Sequence, residues 1–132
     1  MKVTLDTNVL LRLATQDDAA QAAQALRVLQ DATLIAVPTP ALCELVWVLL
    51  RGYRYTPAQV ARAVRTLIRV RHVVCHTPAV LAGLAVLEAG GDFADGAIAY
   101  EGELLGGPEF VTFDQQAARL LKAQKRKVRS LR

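Results

Sequence analysis

Apolar positions along the chain switch repeatedly between two periods. Short β-branched or apolar runs at residues 2–5, 34–37, 73–75, 109–112 and 128–131 predict five strands. Between them, longer stretches repeat at helical spacing: Ala22, Leu26 and Leu29; Leu42, Leu45, Val46, Leu49 and Leu50; Val60, Val64, Leu67 and Ile68; Val80, Leu84 and Leu87. Helix starts are marked by Asp17, by Thr39, Thr56 and Thr77, each followed by proline, and by Asp92, while Gly52 and Gly90 mark stops. Alternating strands and helices predict an α/β fold with a central, short, parallel five-stranded sheet flanked by helices. No linker, repeat or low-complexity segment interrupts the pattern, so residues 1–132 read as a single domain.

Composition narrows the class. At 53% hydrophobic residues the chain can bury a core, which excludes disorder. The longest apolar runs, 45–50 and 79–87, fall far below the roughly 18 residues of a membrane span. Asp6, Asn8 and Arg12 break the N-terminal apolar stretch and exclude a secretory signal peptide, so the expectation is a soluble, cytoplasmic protein. Cys43 and Cys75 sit in apolar surroundings and read as reduced core thiols rather than a bridge. Lys122, Lys125, Arg126, Lys127, Arg129 and Arg132 place six of the sixteen basic side chains, and no acid, in the last eleven residues. The remainder is slightly acidic, and a polyanionic partner or simple solubilisation both account for the tail.

Several acids stand where a surface does not require them. Glu44 lies within the apolar run 41–48, so it is expected to be shielded from bulk water and to need a cation, a metal or a proton; an ion pair with Arg12 or Arg51 is the plain alternative. Asp6 ends the first predicted strand and Asp114 follows the fourth, and ligands of open parallel sheets gather at carboxyl strand ends. Each also suits a helix cap. Asp92 and Asp95 open the helix after Gly90-Gly91, where Asp95 precedes the small residues Gly96, Ala97, Ile98 and Ala99 and can turn inward. Hard carboxylate oxygens drawn together in this way select Mg²⁺ or Mn²⁺.

Taken together, Asp6-Thr7-Asn8, the segment 38–44 leading into Leu45-Val46, the segment 92–99, and Thr112-Phe113-Asp114 resemble the four acidic motifs of the PIN domain family, and are most similar to its VapC-type toxin ribonucleases. The resemblance implies that Asp6, Glu44, Asp95 and Asp114 form a catalytic Mg²⁺ or Mn²⁺ site, supported by Asn8 and Thr112, with Asp92 a cap or outer ligand. It implies metal-assisted hydrolysis of RNA, with Glu44 or Asp114 orienting the attacking water, and it implies a homodimer and a small antitoxin partner. Gly96 departs from the pattern, since alanine is more usual there and glycine weakens a helix by about 1 kcal/mol.

Arg62, Arg65 and Arg69 share one helix face opposite Val60, Val64 and Leu67 and are candidates for substrate phosphates, although a solvated face explains them equally. Trp47, Tyr53, Tyr55 and Tyr100 are the main aromatic candidates for stacking. Trp47 is expected in the core, which favours recognition of backbone shape over base stacking. His72, Cys75 and His76 lack a fourth ligand for zinc. Two rival readings remain: an acidic-pocket phosphatase or receiver-like domain, and a catalytically silent scaffold for RNA or protein. Asp6 lacks the second aspartate two residues on that the phosphatase motif uses.

Overall fold

β1 (Lys2–Thr4), β2 (Leu34–Ala36) and β3 (Val73–Val74) pair in parallel in that order, with Val3 opposite Ile35 and Ile35 opposite Val73. Parallel neighbours need crossovers. α1 (Thr7–Thr15) and α2 (Ala19–Asp31) provide the first, α3 (Thr39–Arg51) and α4 (Pro57–Ile68) the second. The ladder runs slightly past the strands, since Leu5 N donates to Ala36 O at 3.0 Å and Val37 N to Val74 O at 2.9 Å. The computed structural model describes all of residues 1–132, in two compact units, Met1–His76 and Thr77–Arg132.

In the first unit, Leu10, Ile35, Leu42, Leu49, Val60 and Val64 are fully buried between sheet and helices. Asp18, rather than Asp17, caps α2, accepting from Gln21 N at 3.1 Å. Asp17 instead accepts from the Tyr53 hydroxyl, from Thr15 Oγ1 at 2.8 Å and from Arg12 Nη1 at 2.6 Å. The Tyr53 bond foremost, then Thr15 and Arg12, lowers its carboxyl to about 2. Thr56 and Gln59 close a capping box at the start of α4.

Two sequence expectations fail on α3. Leu42, Leu45, Val46 and Leu49 form its buried stripe, which turns Glu44 and Trp47 to the opposite side. Glu44 is exposed, and Trp47 retains 60% of its surface rather than entering the core. The pairing considered for Glu44 is absent as well: Arg12 bridges Asp17, while the Arg51 guanidinium lies 5.9 Å from the Trp47 ring centroid. Cys43 and Cys75 form no disulfide, and they are half-buried rather than core thiols.

The second unit contains α5 (Thr77–Glu88), α6 (Phe93–Leu104), β4 (Glu109–Thr112), α7 (Gln115–Ala123) and β5 (Lys127–Ser130). β4 and β5 run parallel, with α7 as their crossover and Phe110 opposite Val128. Val86, Ala99 and Leu121 form one core cluster, with Phe110, Leu120 and Val128 packed on it, and Val80, Leu84, Leu87 and Phe93 are buried as well. The five expected strands all form, but they pair as a three-stranded and a two-stranded sheet instead of one five-stranded ladder. Segments of two to four residues offer each ladder few hydrogen bonds by which to recruit another strand. The basic tail forms a strand, and three of its six cations are bridged to two acids: Arg126 bridges Glu103 at 2.8 Å, while Arg129 and Lys127 share Glu109 at 2.6 and 3.8 Å. No helix is long and apolar enough to cross a membrane.

Glycine governs the packing of α5 on α6. A Cβ on Gly83 would meet the Phe93 ring at 2.7 Å, and one on Gly96 would collide with the Ala82 carbonyl. Gly96 therefore marks a close backbone approach and not merely a weakened helix. Overpacking costs about 1–3 kcal/mol and outweighs the gain of about 1 kcal/mol in helix propensity. Gly96→Ala is expected to lower the urea midpoint at unchanged slope. Gly102→Ala, on the same helix but with its nearest neighbour at 3.8 Å, should raise it; a gain from both substitutions would refute the close crossing.

Candidate active site

Asp6 stands two residues beyond β1 and caps α1, its Oδ1 accepting from Val9 N at 3.0 Å. The helix needs an acceptor for its first free amides, and the positive end of its dipole favours the ionised carboxylate. Capping engages Oδ1 alone, and the side chain is exposed. The next residue, Thr7, donates its hydroxyl to Glu44 Oε2 at 3.2 Å, tying the first turn of α1 to the outward face of α3. Thr7 thus anchors Glu44 rather than Asp6. Asn8 is exposed on the same turn.

The second unit repeats the device twice. Asp92 caps α6 by accepting from Ala94 N at 3.1 Å, and Asp114 caps α7 by accepting from Ala117 N at 3.0 Å. Thr112, the last residue of β4, accepts from Asp114 N at 2.9 Å and fixes the turn that carries this acid. Asp95 occupies the first turn of α6 and is half-buried. Burial, then the charges of Asp92 and Asp114, raises its carboxyl above the ordinary value. The unit therefore holds a half-buried carboxylate in a field of like charge.

The donor set suits a hard divalent ion, since every candidate is a carboxylate oxygen. Neither unit by itself gathers three His, Cys, Asp or Glu side chains around one ion position. What each supplies is a pair of elements: Asp6 with Glu44 through Thr7 in the first, and Asp95 within the charge field of Asp92 and Asp114 in the second.

On α4 the buried stripe Val60, Ala61, Val64 and Leu67 leaves Arg62 and Arg69 exposed and Arg65 half-buried on the opposite face. Arg62 also edges an apolar groove of about 380 Å³ in the first unit, lined by Leu13, Leu26, Leu29 and Val70 among others. Sequence reasoning missed the exposure of Trp47 and the Thr7 to Glu44 bond. The signal for the first was weak: residues 44, 47 and 51 fall on the side of α3 away from Leu42, Leu45 and Leu49, but apolar residues cover nearly the whole helix and leave the buried stripe undetermined. Thr7 carried no signal, because its partner is 37 residues away.

Residues 3–122 match the family model described as PIN domain. No curated protein matches the chain.

The charge around Asp95 has a measurable consequence. A carboxyl whose folded pKa is raised penalises the folded state once it ionises, so stability falls as pH rises from 3.8 through the raised value. Asp95→Asn is expected to raise the melting temperature of the metal-free protein at pH 7, with the gain shrinking in acid as the parent takes up its proton. A variant less stable than the parent at neutral pH would contradict the like-charge field.

Proposed function

The chain belongs to the PIN domain family, whose members are generally nucleases, and on that premise we propose that it is a Mg²⁺- or Mn²⁺-dependent endoribonuclease. The proposed catalytic and metal-holding set is Asp6, Glu44, Asp95 and Asp114, within a single domain spanning residues 1–132. The observation that carries this reading is the match of residues 3–122 to the PIN domain, beside which stands the half-buried Asp95, its carboxyl raised by burial and by Asp92 and Asp114. A divalent ion bound there supplies charge neutralisation for phosphoryl oxygens and acidifies a water.

The chain's own residues have separable tasks. Asp6 and Asp114 are held in place by the amides they cap, and Thr112 and Thr7 fix the turn and the carboxylate beside them. Asn8 supports the same turn of α1, and Asp92 shapes the field that keeps Asp95 ready for a cation. Arg62, Arg65 and Arg69 meet substrate phosphates, a contact that weakens with salt.

The finer assignment is the toxin of a toxin-antitoxin pair, acting in the cytoplasm as a homodimer. The groove edged by Arg62 and Gln59, with leucines along its floor, offers apolar surface and a polar rim to a small antitoxin segment. A second reading is a catalytically silent scaffold that binds RNA or protein; it is favoured by the fact that neither unit alone brings three ligands together.

Incubating structured RNA with the protein and Mn²⁺ or Mg²⁺ separates the two. Metal-dependent cleavage is expected, abolished by chelation and reduced at least a hundredfold in Asp6→Asn and Asp95→Asn, the order lost when a preorganised charge-stabilising group is removed. Binding without cleavage favours the scaffold, and cleavage indifferent to both substitutions removes the proposed site. For the toxin role, induced expression should arrest growth, and Asp95→Asn should relieve the arrest. Harmless expression of an active nuclease would end that assignment.

A further inference from the structure

Trp47 is the chain's single tryptophan, and it stands on the outward side of α3 at 60% exposure. An indole left in water forgoes the stabilisation of burial, so its position calls for a reason. Its nearest neighbours on that side are Cys43 and Leu50, both half-buried, and Glu44 and Arg51, both exposed. The two charged residues interrupt the continuous apolar patch that a protein interface requires. One face of the ring carries the Arg51 guanidinium, 5.9 Å from the centroid. Arg51 has no acidic partner, so its charge is not cancelled within the protein. One turn back along the helix is Glu44, three residues away and fixed by Thr7.

An exposed aromatic plane and an unneutralised guanidinium make a specific combination, with the Glu44 carboxylate one turn distant. A nucleotide offers the matching set: a flat base for the indole and a phosphate for the arginine. We propose that Trp47 is a base-stacking residue that, with Arg51, holds one nucleotide of a single-stranded RNA beside Glu44. This rests on the nucleic-acid-cleaving reading given above and deepens it, because it makes recognition depend on a base and not on backbone shape alone. Stacking on an indole is tolerant of sequence, since every base has a π-face. Trp47 therefore selects unpaired nucleotides over paired ones, whose faces are already covered by their neighbours.

The single tryptophan makes the test direct. The full chain, in chelator so that nothing is cut, is titrated with a short oligoadenylate and with an abasic oligomer of equal length while indole emission is followed. The base-bearing oligomer should quench the emission and the abasic one should leave it unchanged. In a parallel anisotropy titration, Trp47→Ala should weaken oligoadenylate binding about tenfold, while Trp47→Phe keeps most of the affinity. Equal quenching by the abasic oligomer would overturn the proposal. So would a Trp47→Ala variant that changes elution volume but not RNA affinity, which would make this face a contact between copies of the chain. Base-dependent quenching in a protein that cuts nothing with Mn²⁺ would end the nuclease reading and leave this one standing. Undiminished cleavage by Trp47→Ala, with no quenching in the parent, would do the reverse.

Discussion

Every α-helix leaves its first amides without acceptors inside the helix, and here three aspartates meet that need immediately after a strand or a glycine turn. Asp6, Asp92 and Asp114 each place one carboxylate oxygen on a helix amide, at 3.0, 3.1 and 3.0 Å. The same bond that starts the helix fixes the acid at a defined point in its unit and, through the dipole, favours its ionised form. Capping and candidate ligation are therefore not competing explanations of these residues. A carboxylate has two oxygens and several lone pairs, and capping uses one of them.

The second unit adds a constraint of a different kind. Gly83 and Gly96 let α5 and α6 approach until a methyl group would strike backbone or the Phe93 ring. That closeness half-buries the first turn of α6 and withdraws water from Asp95, which then feels Asp92 and Asp114 more strongly. Packing and acidity are linked through two hydrogen atoms in place of side chains. The folded state gives up some stability to hold like charges together, a conflict natural proteins tolerate chiefly where a ligand relieves it.

α3 divides its two sides between stability and recognition. Leu42, Leu45, Val46 and Leu49 anchor it to the core of the first unit, and because those contacts are made on one side only, Glu44, Trp47 and Arg51 are presented rigidly on the other. A helix positions such groups better than a loop, since their relative places follow from a rise of about 1.5 Å and a turn of 3.6 residues.

Read from the sequence alone, the five strands, the alternation of helix with strand, and the helix-capping acids Asp6, Asp92 and Asp114 were all legible, because periodicity and capping are local and show within a window of a dozen residues. The Thr56 and Gln59 box was legible in part, from its threonine and proline. The pairing of strands into separate ladders was not, since hydrogen bonds between strands join residues 18 or more apart, as Glu109 joins Lys127 and Lys2 joins Leu34. Nor was the outward aim of Glu44 and Trp47. In a helix apolar on nearly all sides, composition does not say which stripe is buried; only the place where α3 meets its neighbours decides that. The shift of the α2 cap from Asp17 to Asp18 has the same origin, because Tyr53, from a distant loop, claims Asp17. Local patterns settled which elements form, and tertiary contacts settled which way their side chains face, because burial is a property of surfaces that meet only when the chain has folded.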